Sequence, residues 1–177
     1  MSRVPDLAPR IRDAAFLEGD FVLSSGERSS FYVDKYLFST EPNLLRDVAD
    51  ALAAEIPGGV ERLAGVELGA VPLVVATALA TGLPYVIVRK SAKEHGSSAG
   101  RSIEGNLEKG ERVALVEDVV TTGTQAVRAA RNLVEEGAEV VTIVTVLDRR
   151  EEDGEVLGGF PFESLLRMDD LRVVKRN

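Results

Sequence analysis

At 177 residues, 45% of them hydrophobic, the chain has enough apolar material for one compact domain and too little length for two. A net charge of −8 argues against non-specific nucleic-acid binding, and no apolar stretch approaches the about 20 residues of a membrane span. The absence of cysteine removes disulfides, thiolate metal sites and cysteine nucleophiles together.

The N-terminal Met1-Ser2-Arg3-Val4-Pro5 lacks a secretory apolar core, so a cytoplasmic enzyme is expected. Apolar residues at helical spacing predict a helix from Pro5 to Glu18, stopped at Gly19. Phe21-Val22-Leu23 and Phe31-Tyr32-Val33 read as short strands around Ser24-Ser25-Gly26. Leu44, Leu45, Val48, Leu52 and Ile56 share one face of a predicted helix over 41–56, closed by Pro57-Gly58-Gly59. Strand and helix then alternate: strand 63–67, helix 72–80, strand 85–89, strand 113–116, helix 124–136 and strand 140–147. That order implies an α/β fold, a parallel sheet with helices on both faces. The polar segment Ser91–Gly110 holds the only histidine, and a loop of that length inside a compact domain suggests a functional lid.

The strongest chemical signal runs from Val113 to Gln125. Apolar Val113-Ala114-Leu115-Val116 leads into the carboxylates Glu117 and Asp118, then Val119, Val120, Thr121, Thr122, Gly123, Thr124 and Gln125. In open α/β sheets ligands bind at the carboxyl ends of strands, and a helix N-terminus offers free amides and a favourable dipole to an anion. Gly123 permits close backbone approach and the threonines add hydroxyl donors. The two carboxylates sit too near a phosphate pocket to bind phosphate themselves. Sugar hydroxyls, or a magnesium ion met through water, are their sensible partners. The lysine of a nucleotide-binding P-loop is absent, which disfavours nucleoside triphosphate hydrolysis.

A second signal is Arg89-Lys90-Ser91-Ala92-Lys93-Glu94-His95-Gly96, a concentration of cations in an acidic protein. Such a run can be a solvated loop. Beside a phosphate motif it can also stabilise charge developing on a leaving diphosphate. His95, unperturbed near ~6.5, could donate a proton or only a hydrogen bond.

The segment Val113–Gln125 resembles the phosphoribosyl pyrophosphate (PRPP) motif of type I phosphoribosyltransferases. The basic stretch resembles the catalytic loop of orotate phosphoribosyltransferases. The resemblance implies a type I phosphoribosyltransferase-like core of parallel strands flanked by helices over about 41–150. A small hood comes from about 1–40 plus the C-terminal segment, and the flexible loop covers about 91–110. It implies PRPP binding by Arg89, Lys90, Lys93, His95, Glu117, Asp118, Val119, Val120, Thr121, Thr122, Gly123, Thr124 and Gln125, with Lys93, His95 and Asp118 catalytic. Orotate would meet Tyr32, Thr121 and Arg149, although Arg150 competes for that last role. The resemblance further implies Mg²⁺ carried by PRPP, with no direct protein ligand, and a homodimer with shared active sites. No nucleic acid and no membrane is involved. Phe21–Ser29 looks like the hood over the base, Gly69-Ala70-Val71-Pro72 like the tight loop near pyrophosphate, and Ile103-Glu104-Gly105 like the descending arm of the loop.

Two positions depart from many bacterial members, Ser24 and Gly69 standing where those carry lysine. Weaker substrate binding and compensation by Lys35 are both open on the sequence alone. The competing functional readings are a phosphoribosyltransferase for another base and a non-catalytic regulator that senses PRPP. The first would not need Lys93, His95 or Arg149, and the second usually carries a nucleic-acid-binding element.

Overall fold

The structure, a computed structural model, describes residues 7–22, 26, 28–91, 102–151 and 154–172. Leu7, Ile11 and Ala15 bury one face of the first helix, α1 (Leu7–Ala15). The chain then enters strand β1 (Phe16–Val22), which pairs antiparallel with β2 (Arg28–Val33). The predicted first helix therefore ends three residues early, at 15 and not at 18. Residues 16–18 are taken into cross-strand pairing with 31–33, where Phe16 stacks on Phe31 at 5.3 Å, and this outcompetes a last helical turn.

Asp34 caps the short helix α2 (Lys35–Ser39) by accepting the Tyr36 N–H at 3.0 Å. Glu41 does the same for α3 (Pro42–Glu55), with Pro42 in the first turn and Leu44, Val48, Ala51 and Leu52 buried. The remaining elements are β3 (Arg62–Val66), α4 (Ala70–Thr81), β4 (Tyr85–Val88), β5 (Ile103–Glu104), β6 (Arg112–Val120), α5 (Thr124–Glu135), β7 (Glu139–Asp148), β8 (Val156–Leu157), β9 (Phe160–Arg167) and α6 (Met168–Leu171). Strands β1 and β2 form a sheet of their own, and the main sheet has the order β5-β4-β3-β6-β7-β9-β8. From β4 to β9 its strands are parallel, with antiparallel β5 and β8 at the two edges.

Residues on β3 and β6 alternate between two cores. Leu63, Ala114 and Val116 pack with α1, α3 and α4, whereas Ala64, Val113 and Leu115 pack with Ala126, Ala129 and Leu133 of α5. Helices thus cover both faces, as a parallel sheet requires. Two differences from the sequence reading bear on the site. The strand expected to end at Val116 continues to Val120, because Glu117, Val119 and Val120 stay in register with Thr145, Leu147 and Asp148 of β7. The segment 91–110 is also not all loop: Ile103 is buried and pairs with Val88, so β5 adds an edge strand there.

Candidate active site

Strand β6 carries Glu117 and Asp118 into the carboxyl end of the sheet, where both are almost fully buried, at 6% and 3% exposure. Glu117 Oε1 accepts the Asp118 N–H at 3.0 Å, Asp118 Oδ1 accepts the Val119 N–H at 2.6 Å, and the buried Thr145 hydroxyl donates to the Asp118 carbonyl at 3.2 Å. These bonds fix both carboxylates on the sheet. Burial, reinforced by repulsion from Asp118, pushes the Glu117 carboxyl up to about 8.

The ammonium of Lys35 lies 2.7 Å from Asp118 Oδ2. Burial alone would lower the Lys35 pKa, but its hydrogen bond to Asp118 and the attraction of that carboxylate outweigh this and raise it. Gly69 stands against the pair: a Cβ there would come within 1.6 Å of Asp118 Oδ2 and 3.1 Å of Lys35 Nζ. No side chain other than hydrogen fits at that position while the ion pair stands.

After Val120 the chain turns through Thr121, Thr122 and Gly123 into α5. Gly123 adopts φ +80°, and a Cβ on it would meet Leu157 at 2.4 Å, so the turn needs glycine for conformation and for space. Gly123 gives α5 no side-chain cap; the Thr124 N–H reaches the Thr122 hydroxyl only at 3.4 Å, and that hydroxyl lies 3.0 Å from the Thr124 hydroxyl, so amides and hydroxyls gather at one helix end.

All these groups border one cleft of about 1120 Å³. Its walls include Glu117, Asp118, Val119, Val120 and the whole Thr121–Gln125 loop. Tyr32 and Phe21 from the hood, Lys90 from the end of β4 and Arg149 from the end of β7 complete them. The Phe21 and Tyr32 rings lie 5.7 Å apart, an aromatic wall on the hood side. Lys35, Glu67 and Gly69 also line the cleft, and Glu67 Oε1 accepts the Lys90 N–H at 2.6 Å. Glu67 escaped the sequence reading because an acid at a strand end carries no signal of its own.

Arg89 is not brought to this cleft. It borders a smaller neighbouring cavity with Arg128 and Asn132, and its guanidinium lies 3.5 Å from Glu104 of β5. Lys90, just past the end of β4, borders both spaces, whereas Arg89 borders only the smaller one. Lys93 and His95, expected to be catalytic, lie outside the described residues, as does Ser24.

The structure also separates Arg149 from Arg150. Arg150 grips buried Asp148, with Nε at 3.0 and 3.2 Å from its two oxygens and Nη2 at 2.9 Å, and stacks over the Phe162 ring at 4.3 Å. Among the described residues the Arg149 side chain makes no hydrogen bond or ion pair, and it faces the cleft.

The sequence profile of the Phosphoribosyl transferase domain matches residues 40–160. The chain is 47% identical over 169 residues to the orotate phosphoribosyltransferase of Natronomonas pharaonis, covering 94% of this chain and 95% of that one. The chain belongs to the orotate phosphoribosyltransferase family. Solved structures agree. The orotate phosphoribosyltransferase of Mycobacterium tuberculosis superposes with a TM-score of 0.80 at 33% identity, covering 95% of this chain and 98% of that one. The same enzyme in complex with PRPP superposes with a TM-score of 0.73 at 29% identity, over 95% of this chain and 98% of that one. Among the described residues no helix is long and apolar enough to cross a membrane.

Proposed function

We propose that the cleft transfers the 5-phosphoribosyl group of PRPP to orotate, giving orotidine 5′-monophosphate and pyrophosphate in pyrimidine biosynthesis. The observation that carries this reading is convergence. A phosphate-ready helix terminus, a buried carboxylate pair, an aromatic wall and an uncommitted arginine border one space. The amides and hydroxyls of Thr121–Gln125 hold the 5-phosphate, and Glu117 and Asp118 hold the ribose hydroxyls. Tyr32 lies against the pyrimidine, while Arg149 and Thr121 meet its carboxylate or carbonyl oxygens. Lys90, with Lys93 and His95, neutralises the diphosphate.

Among the described residues no cluster of three or more acidic or histidine side chains could hold a resident metal. The donor set fits magnesium entering on the diphosphate: Glu117 and Asp118 are hard oxygen donors suited to meeting its water shell. When bound, magnesium supplies neutralising charge to the leaving diphosphate. Bond breaking at the anomeric carbon develops oxocarbenium character, and the adjacent Asp118 carboxylate favours that positive charge. N1 of orotate, oriented by Arg149 and Thr121, then closes the new bond, and its proton passes to the departing diphosphate. The chain's contribution is positioning and electrostatics, with no covalent enzyme intermediate. The reading includes a cytoplasmic homodimer whose subunits share active sites through the 91–110 loop.

The test is ultraviolet absorbance of orotate with purified protein, PRPP and magnesium. A fall that needs every component supports the reaction and the base together. No change with orotate, followed by turnover of a purine or uracil, would overturn the choice of base.

A further inference from the structure

Lys35 has no assigned part in the reaction just proposed, yet it lines the cleft. Its placement is built into the fold: Asp34 caps α2, so Lys35 is the first residue of that helix and projects to Asp118 across the base of the hood. Its side chain is a third exposed, at 37%, while that of Asp118 is at 4%. The carboxylate is therefore fixed, and the ammonium, on a flexible four-carbon stem, is the partner free to leave.

What lies beside the ammonium matters as much. Gly69 is the N-cap of α4, a twelve-residue helix with no side-chain cap, and a Cβ on Gly69 would sit 3.1 Å from Lys35 Nζ. The cation thus stands between the carboxylate that would take a ribose hydroxyl and the start of α4, where the Val71 N–H already donates to the Leu68 carbonyl at 3.1 Å and Pro72 has no N–H, so the ammonium is the positive group that an anion there would meet. The 5-phosphate already has its own terminus at α5. One PRPP molecule presents a hydroxyl donor for Asp118 and a diphosphate for the Lys35 ammonium beside the start of α4.

We infer that Lys35 is a diphosphate-binding residue that rests on Asp118 in the free enzyme and exchanges that carboxylate for a diphosphate oxygen when PRPP enters. This rests on the PRPP reading of the cleft. The exchange leaves neither group without a partner: the ribose hydroxyl donates to Asp118 as the ammonium moves to the diphosphate. A multiply charged diphosphate is the stronger partner for the ammonium. The bare Gly69 is what lets cation, carboxylate and helix end lie this close.

The two halves of the ligand separate this from a merely structural ion pair. Calorimetric titrations of the full chain would use ribose 5-phosphate, and then magnesium pyrophosphate with ribose 5-phosphate saturating, on wild type and Lys35→Ala. Exchange predicts opposite effects. Pyrophosphate binding weakens about tenfold or more, the worth of a charged hydrogen bond, while ribose 5-phosphate binds as well as before or tighter, because Asp118 no longer has to be vacated. Lys35→Arg, which keeps the charge, should hold pyrophosphate affinity within about threefold of wild type. An equal fall for both ligands, or unchanged pyrophosphate affinity, overturns the assignment. Failure of the wild type to bind either ligand would instead overturn the PRPP reading itself.

Discussion

Arg149 and Arg150 are neighbours in sequence, and exchanging each for alanine should produce opposite phenotypes. In Arg150→Ala, Asp148, buried to 1% exposure, loses Nε contacts at 3.0 and 3.2 Å and an Nη2 contact at 2.9 Å. It keeps the residue-150 backbone N–H at 3.0 Å and a distant Arg167 at 3.7 Å. Stranding one member of a buried pair costs about 3–5 kcal/mol, and the retained partners favour the lower end. The lost stacking over Phe162 at 4.3 Å adds under about 1 kcal/mol at this partly exposed edge. A net loss of about 3 kcal/mol lowers the melting temperature of a domain this size by roughly 6–12 °C. Arg149→Ala touches no such network and should melt within about 2 °C of wild type. In orotate turnover assayed well below either melt the order reverses. Arg149→Ala raises the orotate KM about tenfold or more, as loss of a charge-assisted bond to the base would, and Arg150→Ala stays within a few-fold. Arg150→Ala melting like wild type, or Arg149→Ala proving the less stable of the two, would refute the division of labour.

Three further outcomes are expected. Gly69→Ala places a methyl 1.6 Å from Asp118 Oδ2, so the carboxylate must shift and the PRPP KM should rise about tenfold with the circular dichroism spectrum unchanged; a change below threefold would show that the carboxylate can move at no cost. Lys93→Ala and His95→Ala should each lower kcat far more than they weaken orotate binding, and near-normal turnover in both would remove the lid from the mechanism. The third concerns pH. With its folded pKa raised to about 8 above an ordinary 4.5, Glu117 keeps a proton in the folded chain that the unfolded chain has lost. Stability of the ligand-free protein therefore falls as pH rises from about 5 to about 8, by at most about 1.4 kcal/mol per pH unit from this group. Asp118 on the same strand and Lys35 on α2 are the charges that act on it. Glu117→Gln should flatten the melting-temperature slope over that window, and an identical slope in both proteins would show that Glu117 does not hold the proton.

Much of the site was legible because it is local. The apolar run 113–116, the acid pair and the threonine–glycine turn are consecutive, and the spacing of Ala126, Ala129, Ala130 and Leu133 announces the helix that follows. What the sequence did not disclose depends on partners far along the chain. The strand's extension to Val120 is decided by β7, and the β8–β9 hairpin was missed because Pro161 reads as a strand breaker and Ser164-Leu165 disturb the alternation begun by Phe160 and Phe162. Lys35 was open as a compensating cation, but only the fold brings it to Asp118. The choice between Arg149 and Arg150 likewise turned on the burial of Asp148, which no local pattern reveals.

The β1–β2 hairpin is a sheet separate from the one that carries Glu117 and Asp118. The two halves of the chemistry are thereby mounted on different chassis. Tyr32 and Phe21 can be redrawn to admit another ring without a single hydrogen bond of the sugar-phosphate seat being broken. An architecture of this kind lets one donor half be paired, over evolutionary time or at a bench, with different acceptor halves.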